Sequence, residues 1–293
     1  MLKVSANIII NVMFLAGSGC VTVGTMKRSK EKMIDMKIYH EEPKGQAKAV
    51  VILLHGLNLV PSKMDDWAHI LADHGAHVLR LPLYGHTGDH EHMRSVTAED
   101  WRKQFKDIAL LGEAKAKELG VPLYFFGFSL GALVALEWLA HEEHPAIEKM
   151  VLIAPAISVP WYSRALINAL AVFGHGLILP SRSPAQYRAN PGTSVAAYLA
   201  LFALKDSLEA SKYKNANVKT LILIDRHDEL VNSQEIRDII ARFNLGQWNL
   251  EIVDNRFAYD NYGFRHLMVD QEAMGKELFD SLSRQVVKHL RLN

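Results

Sequence analysis

The stretch Leu123-Tyr124-Phe125-Phe126-Gly127-Phe128-Ser129-Leu130-Gly131-Ala132-Leu133-Val134-Ala135-Leu136 governs the reading of this chain. An apolar, aromatic run of strand character meets a Gly-x-Ser-x-Gly pentad, and an apolar helical run begins at once. A chain passing from strand to helix in so few residues must bend sharply, and the residue at the apex is forced into strained backbone geometry. Gly127 and Gly131 flank that apex, where a Cβ would collide with the neighbouring strand or helix. Ser129 is therefore expected to stand clear of the strand, its hydroxyl exposed and a helix N-terminus beneath it. A Gly/Ser turn without chemistry is the competing account, and the strand before and helix after weigh against it.

Working outward, residues 49–54 are continuously apolar and β-branched, the pattern of a strand buried on both faces of a parallel sheet. They end in His55-Gly56-Leu57-Asn58. Further strands are expected at 36–40, 77–83, 149–155, 218–225 and 249–253. Helices are expected at 64–74, 97–120, 194–211, 233–243 and 270–290, with a loop at 259–266. Thr97-Ala98-Glu99-Asp100 has the form of a capping box, and Trp101, Phe105, Ile108, Leu111 and Ala114 should face the sheet. Residues 157–217 interrupt the alternation with aromatics, Pro and Gly, and read as a cap inserted at the serine end of the sheet, its apolar face roofing a pocket. The segment Tyr84-Gly85-His86-Thr87-Gly88-Asp89-His90-Glu91-His92 invites a metal reading, but ligands must converge and a loop achieves that only with partners from elsewhere. A loop rimming the active site is the better account. Alternating strands and helices argue an α/β fold: a doubly wound, mostly parallel sheet with an inserted cap.

At 293 residues the chain accommodates one large α/β domain with an insertion, or two ordinary domains. Its net charge of +1 points to no nucleic-acid partner. The single cysteine, Cys20, allows no intrachain disulfide and no thiolate cluster. Lys3, the apolar block around Ile8 to Ala16, and Gly17-Ser18-Gly19 follow one another as the three regions of a secretory signal, with the block too short for a comfortable membrane span. The arrangement resembles a bacterial lipoprotein signal in which Cys20 becomes the lipidated first residue, although Gly17 stands where such signals usually carry Leu. Residues 1–20 are thus expected to be a signal peptide, 21–35 a polar, basic tether, and 36–293 the folded domain. The expected location is the bacterial cell envelope, with the exported protein anchored to the membrane through Cys20, and the periplasm or cytoplasm as the alternatives.

A serine hydroxyl is a poor nucleophile at neutral pH and needs a base within hydrogen-bond reach. Histidine suits that task, and a carboxylate must fix its tautomer. Several motifs together carry a family likeness: His55-Gly56-Leu57, Leu83-Tyr84-Gly85-His86, Asp100-Trp101, Gly127-Phe128-Ser129-Leu130-Gly131, Arg226-His227-Asp228-Glu229-Leu230-Val231 and Arg265-His266-Leu267-Met268-Val269-Asp270. Through them residues 50–290 resemble the α/β-hydrolase superfamily, in particular small bacterial carboxylesterases and monoacylglycerol-lipase or lysophospholipase-like enzymes. In that fold the triad runs Ser, acid, His along the chain, each on a loop after a strand. The resemblance implies Ser129, Asp228 and His266, with Asp225 and Glu229 as competing acids and His289 as the other late histidine. It implies an oxyanion hole from the backbone N–H groups of Leu130 and Leu57, with Asn58 the alternative to Leu57, and a structural, loop-bonding role for His55. Gly85-His86-Thr87 and Phe264-Arg265-His266 depart from the usual Gly-His-Gly and Ser-Gly-His.

The chemistry so implied needs no cofactor and no metal. It is hydrolysis of a carboxylic ester, from a small acyl ester to a monoacyl lipid, through an acyl-enzyme on Ser129. A serine peptidase or acyltransferase would use the same three residues. A non-catalytic lipid-binding protein on this fold would normally have lost one of them.

Overall fold

The computed structural model describes residues 38–293 apart from 89 and 144, so the expected signal, Cys20 and the tether lie outside the described residues. In chain order these are β1 (Tyr39–Glu41), β2 (Ala49–Leu54), α1 (Asp65–Asp73), β3 (Ala76–Leu81), α2 (His90–Ser95), α3 (Ala98–Leu119), β4 (Leu123–Phe128), α4 (Leu130–His141) and β5 (Ile147–Ile153). Then come α5 (Trp161–Ala171), β6 (Ile178–Pro180), β7 (Gly192–Ser194), α6 (Val195–Ala210), β8 (Lys219–Asp225), α7 (Ser233–Arg242), β9 (Trp248–Val253), α8 (Arg256–Tyr262), α9 (Gln271–Met274) and α10 (Lys276–Leu290). Seven strands pair in the order β1-β3-β2-β4-β5-β8-β9, all neighbours parallel except the β1 edge. Every residue of β2 and β4 is buried, as the unbroken apolar runs require of strands covered by helices on both faces.

Helix α3 is fixed at both ends by its sequence. Thr97 Oγ1 accepts from the Asp100 N–H while the Asp100 carboxylate accepts from the Thr97 N–H, and Gly120 closes the helix at φ 67°. Its buried stripe runs through Trp101, Phe105, Ile108, Gly112 and Ala116, whereas Leu111 and Ala114, expected to face the sheet, are exposed. The reason is Gly112: a Cβ there would lie 2.9 Å from Ile52 Cδ1, so the helix approaches β2 along its glycine and rotates Leu111 outward.

Three further expectations change. The edge strand covers Tyr39–Glu41 and stops one residue beyond its expected end, while expected positions 36 and 37 lie outside the described residues. The expected 259–266 loop begins as helix. Asn255 accepts from the Ala258 N–H to start α8 and Gly263, at φ 63°, ends it; seven residues are too few to show an apolar period. The expected 270–290 helix is two, because Asp270 caps the short α9 and Gly275 at φ 72° separates it from α10. The insertion between β5 and β8 holds α5, the β6–β7 hairpin and α6, and Ser194 caps α6 where the sequence placed its start.

The sharpest packing constraint lies at the start of α4. A Cβ on Gly131 would meet Leu54 Cβ at 2.7 Å and the carbonyl oxygens of Leu54 and His55 at 2.8 Å. Those neighbours are backbone and strand, which cannot yield cheaply. Gly131→Ala is expected to destabilise the protein by roughly 1–3 kcal/mol, read as a lower denaturation midpoint; an unchanged midpoint would contradict this packing.

Candidate active site

Ser129 joins β4 to α4 at φ 50° and ψ −109°, a backbone conformation that side-chain-bearing residues rarely adopt. The strain is held by neighbours on both sides. The Ser129 N–H donates to Ile153 O (2.9 Å), and its carbonyl accepts from Leu133 (3.2 Å) and Ala156 (3.1 Å). A Cβ on Gly127 would sit 2.8 Å from the Ala132 nitrogen and 2.6 Å from the Phe125 ring. Both pentad glycines are therefore demanded by close approach.

The loops after β8 and β9 deliver the other two residues. His266 Nδ1 lies 2.7 Å from Asp228 Oδ2, and His266 Nε2 lies 3.2 Å from Ser129 Oγ. An ionised carboxylate only accepts, so Nδ1 carries the proton and Nε2 offers its lone pair to the serine hydroxyl. The Asp228 side chain is fully buried, and its Oδ1 accepts from the Leu230 (2.8 Å) and Val231 (2.9 Å) N–H groups, which orients Oδ2 toward the imidazole. The competing acids have other work. Asp225 accepts from the N–H groups of His227 and Asn255, tying the β8 and β9 loops together. Glu229 accepts from the N–H groups of Arg265 (2.9 Å) and His266 (3.1 Å) and so anchors the histidine's own backbone. His289 instead meets Met150 O at 3.1 Å, within α10. The sequence offered no signal for the roles of Asp225 and Glu229 beyond their neighbourhood to Asp228.

The loop after β2 abuts the serine turn. Gly131 donates its N–H to His55 O (3.1 Å), which leaves Leu130, first residue of α4, with an N–H that has no intrahelical acceptor. Leu57 sits in the adjoining turn and lines the same cavity as Ser129. His55 is buried behind it: Nδ1 meets Gly56 O at 2.8 Å and Nε2 accepts from the Leu83 N–H at 2.9 Å. Burial pushes its pKa down to about 4. His86 packs against it at 4.7 Å between rings, with Nδ1 facing Leu83 O and Tyr84 O, and burial pulls its pKa well below the ordinary value. The sequence suggested that the 84–92 segment rims the serine, but none of its described residues lines the cavity that holds Ser129. Its first part is packed beneath the β2 loop, where His86 helps line a separate cavity with His55 and Arg80, and His90 and His92 belong to α2.

Ser129 and His266 open onto a cavity of about 400 Å³. Its walls are mainly apolar, with Leu166, Ile167, Leu179, Leu201 and Phe202 from the insertion and Phe264 from the histidine loop. Glu229 is the only acidic residue on the wall among the described residues, and its carboxylate is already engaged by two backbone N–H groups.

Residues 45–257 match the family described as Serine aminopeptidase, S33. The chain belongs to that α/β-hydrolase family. A 136-residue stretch is 26% identical to phospholipase YtpA of Bacillus subtilis (strain 168), covering 45% of this chain and spanning half the length of that relative. Among solved structures, a soluble variant of monoglyceride lipase from Saccharomyces cerevisiae superposes with a TM-score of 0.72 at 13% identity, covering 92% of this chain and 96% of that one. A monoacylglycerol lipase from Paleococcus ferrophilus gives 0.63 at 17% identity, covering 87% and 100% respectively. At such identities the structural likeness establishes the fold.

The buried imidazoles make stability pH-dependent. A histidine whose folded pKa lies below its unfolded 6.5 binds its proton preferentially in the unfolded chain. Stability is therefore complete above pH 6.5 and falls as pH drops toward 4, by on the order of 3 kcal/mol from His55 alone. His86 acts in the same direction. Denaturant midpoints that stay level from pH 6.5 to 4.5 would contradict this burial.

Proposed function

We propose that this α/β-hydrolase cleaves carboxylic esters of acyl lipids through an acyl-enzyme on Ser129. The observation that carries the reading is the continuous contact from Ser129 Oγ through His266 to Asp228 at the floor of an apolar cavity. His266 Nε2 takes the hydroxyl proton as Ser129 attacks the ester carbonyl, and Asp228 stabilises the imidazolium that forms. The backbone N–H groups of Leu57 and Leu130 receive the developing oxyanion. His266 returns the proton to the leaving alcohol, then activates the water that releases the acid.

The inserted segment acts as the cap, its leucines and Phe202 accepting the acyl chain. The relatives' names point the same way, toward monoacylglycerol and phospholipid esters. The family's description names an aminopeptidase, whose substrate carries a free α-ammonium. That cation would need an available carboxylate, and Glu229 is committed to the histidine loop, so the ester reading is favoured over an aminopeptidase. The N-terminal pattern adds export and a lipid anchor on Cys20, which would hold the cavity near its lipid substrates.

Ser129→Ala and His266→Ala are each expected to fold and to lower turnover by about a thousandfold or more, with fluorophosphonate labelling abolished in the first. Rates on p-nitrophenyl esters should peak at medium chain length; a steady fall from acetate onward would remove the acyl-chain role of the cavity. Metabolic labelling with a fatty-acid analogue should mark the parent but not Cys20→Ser, and equal labelling of both would remove the anchor.

A further inference from the structure

Asn58 occupies an unusual place in the loop that follows β2. The Leu59 N–H donates to Gly56 O at 3.3 Å, closing a turn with Leu57 and Asn58 at its centre, and Asn58 has φ 54°. A positive φ at the third residue of such a turn calls for Gly or Asn. Asn58 is also 95% removed from solvent, at 5% relative exposure, so its amide must find partners inside the protein. It finds them on the insertion. Asn58 Nδ2 donates to Asn190 O (3.0 Å), and Oδ1 accepts from the Asn190 N–H (2.8 Å), so one side chain satisfies both backbone groups of one residue.

The contact continues along the backbone. Ala189 N–H donates to Asn58 O and Val60 N–H to Tyr187 O, both at 3.0 Å, with Leu59 and Arg188 bridged antiparallel between them. The strap 187–190 is itself fixed at each end. Tyr187 Oη donates to Asp270 (3.0 Å), and Asn190 Nδ2 donates to Gly85 O (2.8 Å). A segment of the insertion thus forms a short ladder on the loop that carries the Leu57 N–H.

We propose that Asn58 is a positioning residue: through its two bonds to Asn190 it uses the 187–190 strap to hold the Leu57 N–H in the direction of the oxyanion. The inference rests on the ester-hydrolase reading above and assigns a part of the insertion to catalysis as well as to substrate enclosure. A backbone donor accelerates acyl transfer only if it is aimed before the charge develops. Within the loop that aim rests on Gly56 O of the same peptide, which accepts from the Leu59 N–H at 3.3 Å and faces His55 Nδ1 at 2.8 Å. The clamp fixes the other side of Leu57, where, among the described residues, the loop has no bond of its own to hold Asn58. Because the donor acts on the charged intermediate, loosening it lowers kcat and leaves ground-state binding alone.

Asn58→Gly separates the two duties of the residue, since Gly keeps the positive φ and removes the amide. Its kcat on a medium-chain p-nitrophenyl ester is expected to fall about tenfold or more, with KM within about twofold. Affinity for an alkylboronic acid, which mimics the tetrahedral anion, should fall in parallel with kcat, while affinity for a non-hydrolysable ether analogue of the ester holds. Asn58→Asp keeps an acceptor for the Asn190 N–H and tolerates the turn but sets a second acceptor against Asn190 O, so its kcat is also expected to stay below the parent's; it supplies the measurement if the Gly variant is poorly folded. Parental kcat and boronate affinity in both variants, or a loss confined to KM, would overturn the inference. The parent serves as the separate control: if it is not labelled by a fluorophosphonate, the ester-hydrolase reading itself fails, whatever the Asn58 variants do.

Discussion

The structure depends on one crowded crossing, where the turn at Ser129 meets the end of β2. Gly131 must come within backbone contact of Leu54 and His55 so that α4 can start directly from β4. That approach forces Ser129 to a positive φ and at the same time bonds the Gly131 N–H to His55 O. Ser129 and the neighbouring loop are thereby fixed relative to one another by main-chain sterics. The cost of the strained residue is spread over β2 and β4, buried throughout, and β5, buried at all but Glu148, which over-determine its position.

Around that crossing, three acidic residues within five positions show how partners, more than residue type, assign roles. Asp225 ends β8 and spends its oxygens on the main chain of two loops. Asp228 has one oxygen held by N–H groups of its own turn and the other aimed at His266. Glu229, one residue on, reaches across to the backbone of Arg265 and His266. Together they hold the loop bearing His266 without any element of regular structure, since a side chain that must meet two others cannot tolerate a loosely tethered backbone.

The insertion joins the site in two ways. Its apolar side chains enclose the space above Ser129, with Tyr162 and Leu166 of α5 more than half exposed at that cavity. Its inner strap instead bonds to the loop after β2 and through Tyr187 to Asp270, a carboxyl whose pKa burial raises. The outer part presents apolar surface while the inner part is committed to polar contacts with the core. Both follow from chain connectivity, because residues leaving β5 must pass over the C-terminal end of the sheet before β8 begins.

The sequence by itself marked the core strands and the pentad turn, and the family resemblance singled out Ser129, Asp228 and His266, which the fold brings into contact. The strands, the turn and the motifs are local features: unbroken apolar runs, glycines where a Cβ cannot fit, caps such as Thr97 and Ser194, and fixed spacing within each motif. What it misplaced was the orientation of Leu111, the helix at 256–262, the break at Gly275 and the position of the 84–92 segment. Each was decided by contacts with residues distant in the chain or by a backbone angle that leaves no periodic trace. The clamp of Asn58 on Asn190 belongs to the same class, since the two residues lie 132 positions apart and neither motif announces the other. Periodicity records what a segment must bury, and only the assembled fold records which polar group it must meet.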